Sequence, residues 1–298
     1  MAPFSLEAAR WGYKKEATRL TAETTPTSWF GVDPGSEINH RLVLLEDKGL
    51  RGVKAAFPSK AGMLLTDGKI AMPLRTAFIG AFLQMIFGNA STAATAETTA
   101  YKHTFVLPTS TQPPTYTFFV DRSLGVKKYN GCAVKKLSMK SGADGFIQVD
   151  ADILGLTEAA GSIGTPSYAA ETIPLTYAHG VVKLGGTALT NIKDWALSID
   201  TGLFAKRNPG SQVAQDVIAP GQMKIEGNMT LYFEAETERA EFIAGTKNAL
   251  VFLITGAIIG GAVAEALEIT LPVVAYKAFP YGEADGLLAA QVVFSAEY

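Results

Sequence analysis

Polar and apolar residues alternate along two stretches of the chain, and each stretch predicts a strand, a turn and a second strand. The first stretch, residues 130–154, has its turn at 141–145, and the second, residues 191–233, has a longer loop between its strands. Because successive side chains of a strand point to opposite faces, each hairpin has one apolar and one polar face. A half-buried sheet unit that occurs twice points to a protein that builds surfaces rather than a catalytic pocket.

Carboxylates recur on the polar side of these strands. Asp150 and Asp152 lie two residues apart in the first hairpin, and Glu226 and Glu234 belong to an alternating run at 224–234 in the second. Residues two apart on a strand share a face. That face is either the solvated side of a sheet or the wall of a channel. In the second case we expect these four residues, here called the acidic stripe, to face the lumen.

Two helices are predicted, one in each half of the chain. Residues 76–87 place Phe78, Phe82 and Ile86 at helical spacing within a wide apolar stripe, and a Gly-Asn pair follows at 88–89. We expect this first helix to form part of a subunit interface. Residues 235–244 favour the second helix, which Gly245 closes.

The remaining segments complete two similar halves. Residues 1–40 are interpreted as an extended arm that lies on a neighbouring subunit, or else as a disordered tail. The other connecting segments are turns at 47–49, 58 and 66–68, a surface loop at 89–100 and a linker at 155–172. Each half contributes strands and one helix in a consistent order. This indicates an internal duplication, with one unit at 1–155 and a second at 156–298.

Composition and charge favour an oligomer over a nucleic-acid binder. Hydrophobic residues make up 48% of the chain and charged residues only 18%, and such a chain often covers part of its surface in an assembly. The net charge of −2 argues against a general nucleic-acid binder. Residues 1–149 hold 18 Lys and Arg against 11 Asp and Glu, whereas residues 150–298 hold 8 against 17. Chance accounts for this split, or else the basic half of one copy docks on the acidic half of the next.

Signatures of catalysis are missing. The three histidines are isolated, Cys132 is alone and expected to be buried, and there is no nucleophile elbow, phosphate-binding loop or dinucleotide fingerprint. We therefore expect no enzyme activity, cofactor or metal. The apolar run 249–264 is shorter than the roughly 18–20 residues of a membrane helix, and it predicts a buried strand followed by a Gly-rich loop. The N-terminus lacks a signal-peptide pattern, so we expect a cytoplasm-like compartment.

Three stretches resemble the phage tail tube proteins, the major tail proteins of long-tailed phages. They are Trp11-Gly-Tyr-Lys-Lys-Glu-Ala-Thr with Thr25-Pro26; Tyr129-Asn-Gly-Cys-Ala-Val-Lys-Lys-Leu-Ser-Met leading to Ile147-Gln-Val-Asp-Ala-Asp-Ile-Leu-Gly; and Gln222-Met-Lys-Ile-Glu-Gly-Asn-Met-Thr-Leu-Tyr-Phe followed by Phe242-Ile-Ala-Gly and Leu267-Glu-Ile-Thr-Leu-Pro. Together they span most of the chain. The match is one of pattern, order and length, and none of the stretches is a catalytic signature.

The resemblance implies a mainly β (α+β) fold of barrel or sandwich units, each with a flanking helix, that self-assemble into rings. Stacked rings form a hollow tube that conducts DNA without binding it specifically and encloses the tape-measure protein, with terminator and distal tail proteins as further partners. It also implies a virion protein assembled in the host cytoplasm. Many relatives form hexamers of one unit per chain. Two units here favour a trimeric ring with pseudo-sixfold symmetry, with a hexamer as the alternative.

The sequence also allows two other interpretations of the function. The chain is alternatively another ring-forming tail or virion component, such as a terminator, a sheath-associated protein or a decoration protein. A soluble β-rich enzyme or carbohydrate binder is a further alternative, although Trp11, Trp29 and Trp195 are scattered along the sequence. For a tube protein, the N-terminal arm and the segments 89–100 and 201–222 are the candidates for contacts between rings.

Overall fold

A computed structural model describes residues 9–47, 49, 52, 57–88, 90–95, 100–123, 125–168 and 173–297, which are mainly β with two α-helices. The elements of the first half are β1 (Arg10–Lys15), β2 (Ser28–Phe30), β3 (Glu37–Leu45), β4 (Lys60–Pro73), α1 (Thr76–Phe87), β5 (Ser91–Ala94), β6 (Tyr101–Thr104), β7 (Tyr116–Asp121), β8 (Val126–Ser141), β9 (Gln148–Gly155) and β10 (Thr157–Ala160).

The second half begins with a 3₁₀ turn (Tyr177–His179). Its other elements are β11 (Gly180–Leu184), β12 (Thr187–Ala188), β13 (Ile192–Asp200), β14 (Phe204–Lys206), β15 (Asp216–Ile218), β16 (Lys224–Tyr232), α2 (Thr237–Ala244), β17 (Asn248–Gly260), β18 (Val263–Ala278), β19 (Tyr281–Ala284) and β20 (Leu287–Glu297). The prediction of a mainly β chain is confirmed, and the two predicted helices are present within two residues of their expected bounds.

Both predicted hairpins form. Strands β8 and β9 pair with each other, as do β13 and β16. In addition β8 pairs with β13, from Trp195 opposite Ser141 to Asp200 opposite Lys136. The two hairpins therefore lie side by side in one antiparallel sheet, and this sheet joins the two halves of the chain.

Strand order is the same in the two halves. In the first half the hydrogen-bonded neighbours run β2-β1-β7-β8-β9-β4-β3, and in the second half they run β12-β11-β17-β18-β20-β16-β13. All of these pairs are antiparallel. Across the described residues the sheet stays open, and no closed barrel forms.

Residues 9–40 do not form the predicted arm. Trp11 of β1 and Phe30 of β2 are buried, because β1 pairs with β7 on one edge and with β2 on the other. The sequence could not reveal this partner, which lies about a hundred residues further along the chain. Residues 9–40 thus belong to the protein's own fold, and residues 1–8 of the predicted arm lie outside the described residues.

The predicted turn at 66–68 is also wrong, because β4 runs straight through it. A Cβ atom on Gly68 would lie 2.1 Å from the carbonyl oxygen of Glu37 in β3. The glycine is therefore required for a close approach of two strand backbones, and not for a change of direction.

The apolar run 249–264 forms nearly all of β17, the turn and the first two residues of β18, and the predicted Gly-rich loop is wrong. Strand β17 continues to Gly260, and only residues 261 and 262 separate it from β18. Gly256 lies within the strand, and the position requires glycine because a Cβ there would lie 2.6 Å from the Glu265 carboxylate and 2.7 Å from the Leu175 side chain. Among the described residues, no helix is long and apolar enough to cross a membrane.

The three predicted connecting segments all contain some sheet structure. The loop 89–100 contributes β5 to an exposed hairpin with β6, with residues 89 and 96–99 outside the described part. The linker 155–172 contributes β10, which pairs with β8, and its residues 169–172 are likewise not described. The loop 201–222 forms the pair β14–β15 and packs on its own chain, where Arg19 forms an ion pair with Asp216 at 2.6 Å.

Candidate functional site: a polar sheet face

A single row of polar residues crosses both hairpins. Asp150 lies opposite Ser138, Ser138 opposite Ser198, and Ser198 opposite Glu226. Directly opposed residues of antiparallel strands share a face. We call the face that carries this row, on β4, β9, β8, β13, β16, β20 and β18, the polar face.

A second row, two residues along each strand, carries charges of alternating sign. In order across the sheet it contains Lys69, Asp152, Lys136, Asp200 and Lys224. Opposite charges that face each other across strands contribute roughly 0.2–1 kcal/mol per pair. The alternation therefore stabilises the registers that join the first half to the second.

The carboxylates of the first row also have cationic partners. Lys69 forms an ion pair with Asp150 at 3.2 Å, and Lys277 of β18 forms one with Glu226 at 2.7 Å. The hydrogen bond from Lys277 and its positive charge lower the pKa of Glu226 below its ordinary value. Three residues of the acidic stripe thus belong to a face of mixed sign, and not to a uniformly negative one.

Glu234 does not belong to this face. Strand β16 ends at Tyr232, so the alternation that the sequence continues to Glu234 has no sheet to carry it. Glu234 is exposed in the segment that leads to α2. The structure brings Asp150, Asp152 and Glu226 onto one face, and their orientation towards a lumen stays a prediction.

The opposite face of the same strands is the hydrophobic core, and α1 lies in it. Phe78, Phe82 and Ile86, which we predicted to form an interface helix, are buried against the chain's own residues. The rings of Phe78 and Phe82 lie 6.0 and 6.1 Å from that of Phe30. In this conformation these three side chains are not accessible to another subunit, because the wide apolar stripe is covered within the chain.

The described residues hold no group of three or more His, Cys, Asp or Glu side chains that could bind a metal. His40, His103 and His179 each hydrogen-bond to a threonine. Cys132 is buried as predicted, and burial raises the pKa of its thiol well above the ordinary value. The depression on the polar face, lined by Ser138, Asp150, Ser198 and Glu226 among others, is wide and open.

Sequence reasoning missed the lysines of the polar face. Lys136 and Lys140 alternate with Leu137 and Met139 in the sequence, and this alternation predicts that both lysines lie on the polar side of the strand. The pairing of β8 with β13 could not be predicted from the sequence, since it joins residues about sixty positions apart. Lys277 was missed because its partner Glu226 lies 51 positions away in the chain.

The sequence pattern of a known family extends over nearly the whole of this fold. The model of the family described as phage tail tube protein matches residues 8–296, which include both helices and every strand except the last residue of β20. The chain belongs to the phage tail tube proteins. As a member of this family it is a structural protein of the phage tail, and so a component of the virion. No curated protein sequence matches the chain.

Proposed function

We propose that this tail tube protein carries two tube units in one chain, that three copies close into a ring, and that stacked rings form the hollow conduit for DNA ejection. The observation that carries the proposal is the shared strand order of the two halves, together with the β8–β13 pairing between them. Units that sit side by side in one sheet and follow the same order extend naturally into a ring.

The correspondence of the halves includes the helices and the chain order. The first half runs β1, β3, β4, α1, β7, β8, β9, and the second runs β11, β13, β16, α2, β17, β18, β20. Strands β3 and β13 each have 9 residues, and β8 and β18 each have 16. This supports an internal duplication, with units at 1–155 and 156–298.

The two units are arranged in the same direction across the sheet. Strand β13, the last strand of the second unit, pairs with β8 of the first, and the order of the first unit then continues to β3. Three such chains supply the six units of a pseudo-sixfold ring. The excess of basic residues in the first unit and of acidic residues in the second favours head-to-tail contacts between copies.

The polar face is suited to the inner wall, because the other face is occupied by the core and α1. A row from Ala71 to Ala275 crosses seven strands. The edge strand β3 beyond β4 brings each copy to eight strands. At about 4.8 Å per strand, three copies give a wall about 115 Å around and about 37 Å across, and six copies give about 73 Å across. The narrower lumen is the better guide for a single duplex and an extended tape-measure protein.

Alternating charges fit passage without capture. A uniformly basic wall would hold DNA phosphates through the release of counterions. On the polar face Lys69 forms an ion pair with Asp150 and Lys277 with Glu226, and Lys136 lies opposite Asp152 and Asp200. The tube therefore presents no continuous positive track to the DNA.

Negative-stain microscopy of the purified protein tests the proposal. We expect rings and tubes of uniform width, with a mass per ring of three times the chain mass of 31.6 kDa. Dispersed monomers at all concentrations, in the presence and absence of tape-measure protein, would contradict it. A ring of six chains would retain the tube and refute the three-copy arrangement.

A further inference from the structure

The two halves of the chain are offset along the strand direction, and we propose that this offset interlocks successive rings. The projecting end of the first half of one copy enters a recess at the opposite end of the first half of a copy in the next ring. The proposal rests on the stacked rings proposed above, and it names the surfaces that join one ring to the next. The partner is a second copy of this chain.

The paired row from Ala71 to Ala275 gives a common level from which the offset is measured. Towards the end of the sheet where β3 finishes, here called the β3 end, β4 continues 11 residues beyond Ala71, to Lys60. Its counterpart β16 continues only two residues beyond Glu226, to Lys224. At about 3.3 Å per residue, the first half projects about 30 Å further at this end. The hairpin of β14 and β15 does not fill the step below the second half, because it packs on the first half.

The opposite end of the sheet, here called the β20 end, has the reverse step. Strand β20 begins at Leu287, eight residues beyond Ser295 of the paired row. Strand β9 begins at Gln148, only two residues beyond Asp150. The second half, where β19 pairs with the start of β20, therefore projects about 20 Å beyond the first. The first half thus has a projection at the β3 end and a recess at the β20 end.

The projection of the first half is apolar. Leu42, Leu44 and Leu45 of β3 are 44%, 56% and 57% exposed, and Met63 of β4 is 41% exposed. Adjacent residues of a strand point to opposite faces. The exposure of both Leu44 and Leu45 shows that, among the described residues, neither face of this end is covered. An exposed group of large apolar side chains marks a contact with another molecule.

The recess is lined by apolar side chains as well. Phe146 and Tyr177 are each 48% exposed, and Ile173 is 80% exposed. Phe146 and Tyr177 lie together, because Phe146 forms a β-bridge with Thr176 and the amide of Tyr177 donates a hydrogen bond to the carbonyl of Gly145. Backbone hydrogen bonds join the same segment to the residue that follows β4. These side chains therefore form the floor of the recess.

The area of these two surfaces is sufficient for a stable contact. A large side chain that is half exposed offers about 100 Å². The four residues of the projection and the three of the recess therefore bring together about 700 Å² of apolar surface. Three copies in a ring repeat the contact three times and bury about 2,000 Å² between rings, which is more than the roughly 1,600 Å² of a standard protein–protein interface.

The offset selects contact between like halves. The projection and the recess lie at opposite ends of β4, so copies that repeat along the strand direction meet projection to recess. A first half set on a second half would instead bring two projecting ends together and leave the recesses open. The 14 residues of β4 span about 45 Å, and this length sets the repeat along the strands.

Charged substitutions in the projection test the contact. In Leu44→Glu/Leu45→Glu, carboxylates replace exposed apolar surface, and we expect rings that no longer stack into tubes, measured by negative-stain microscopy and light scattering. The matched control is Tyr101→Glu/Val106→Glu, which charges two exposed apolar residues outside the projection and the recess. It should form tubes as the wild type does. The milder Leu44→Ser/Leu45→Ser should raise the protein concentration that tubes require by about tenfold or more.

Paired charges identify the partner surface. Phe146→Lys in the recess should prevent stacking by itself. Leu45→Glu/Phe146→Lys should restore tubes at low salt, because the two new charges attract each other across the contact, and high salt should abolish the rescue. The control is Leu45→Glu/Leu288→Lys, since Leu288 is 55% exposed on the projecting end of the second half. Rescue by Leu288→Lys and not by Phe146→Lys would overturn the contact between like halves.

The outcomes separate this contact from the tube itself. Normal tubes from Leu44→Glu/Leu45→Glu overturn the contact and leave the proposed function standing. A folded variant, with wild-type thermal unfolding, that forms neither rings nor tubes also overturns it, because these residues would then close the ring. If the variant does not fold, Leu44→Ser/Leu45→Ser decides, and an unchanged concentration for tube formation overturns the contact. Wild-type protein that forms neither rings nor tubes overturns the proposed function and this contact with it.

Discussion

The indole ring of Trp195 packs against the phenyl ring of Phe252, with their centroids 4.7 Å apart. Trp195 lies in β13 and Phe252 in β17, and three strands separate them in the sheet. Strands β13 and β17 therefore face each other across the core of the second half. The polar face is on the other side of β13, away from this contact.

Replacing Trp195 by alanine should weaken the fold strongly. Trp195 and Phe252 are both buried, and removing a large buried aromatic side chain typically costs about 3–5 kcal/mol. We expect a loss of this size in the free energy of unfolding of the unassembled chain, measured by urea denaturation. The exposed Tyr101 is the control, and Tyr101→Ala should change stability by less than about 0.5 kcal/mol. Equal effects of the two variants would show that the packing of Trp195 against Phe252 does not stabilise the fold.

Two glycine-to-alanine variants should have opposite effects. In Gly68→Ala the new Cβ meets the backbone of Glu37 and Ile38, which cannot move aside, so we expect a loss of about 1–3 kcal/mol. In Gly80→Ala, within α1, no atom beyond the helix's own backbone and the two neighbouring residues lies within 4 Å of the new Cβ, and we expect a gain of about 0.5–1 kcal/mol. Thermal unfolding of both variants checks this, and a stabilised Gly68→Ala chain would refute the close approach of β3 and β4.

The pKa of Glu226 should depend on Lys277. The hydrogen bond from Lys277 lowers this pKa, so Lys277→Ala should raise it towards the ordinary value of about 4.3. Because the folded-state pKa is depressed, the ion pair stabilises the fold above the unfolded-state pKa, and this contribution is lost as the pH falls through the folded-state value. Carboxyl-carbon NMR titration measures the shift. Lys247→Ala, which removes the separate Lys247–Glu297 pair, should leave Glu226 unchanged.

Removing carboxylates from the polar face should create DNA binding. In the triple variant Asp150→Asn/Asp152→Asn/Glu226→Gln, the lysines of the polar face lose their anionic neighbours, and we expect affinity for a short duplex that falls steeply with salt. Fluorescence anisotropy of the unassembled chain measures it. The matched control removes three exposed or half-exposed carboxylates near α2, in Glu234→Gln/Glu236→Gln/Glu238→Gln. The same gain in both variants would show that net charge matters and the polar face does not.

Local patterns predicted much of this fold. The strand alternation gave the hairpins β8–β9 and β13–β16, and the apolar spacing at 76–87 gave α1 with its bounds. Both depend on neighbours within a few residues, which a single sequence displays directly. Gly88 and Gly245, which follow the two helices, have positive φ angles of 85° and 66°. The sequence predicted both helix ends because a glycine directly after a helical segment is a local signal.

Contacts between segments that are far apart in the sequence could not be predicted from the sequence alone. Because β1 pairs with β7, residues that were predicted to form an arm belong to the core. Because β8 pairs with β13, the polar sides of the two hairpins form one continuous face. Gly68 was misinterpreted because its partner, Glu37, lies in another strand. The charge partners of the acidic stripe depend on the same long-range registers. The sequence could therefore identify the carboxylates without their lysines.

A density map of the assembled tube, resolved well enough to trace strands, tests the central claim most directly. We expect three chains per ring, a continuous sheet as the inner wall, and Asp150 and Glu226 facing the lumen. A map in which these two residues lie on the outer surface of the tube, or in which the wall is built from other strands, would contradict the account.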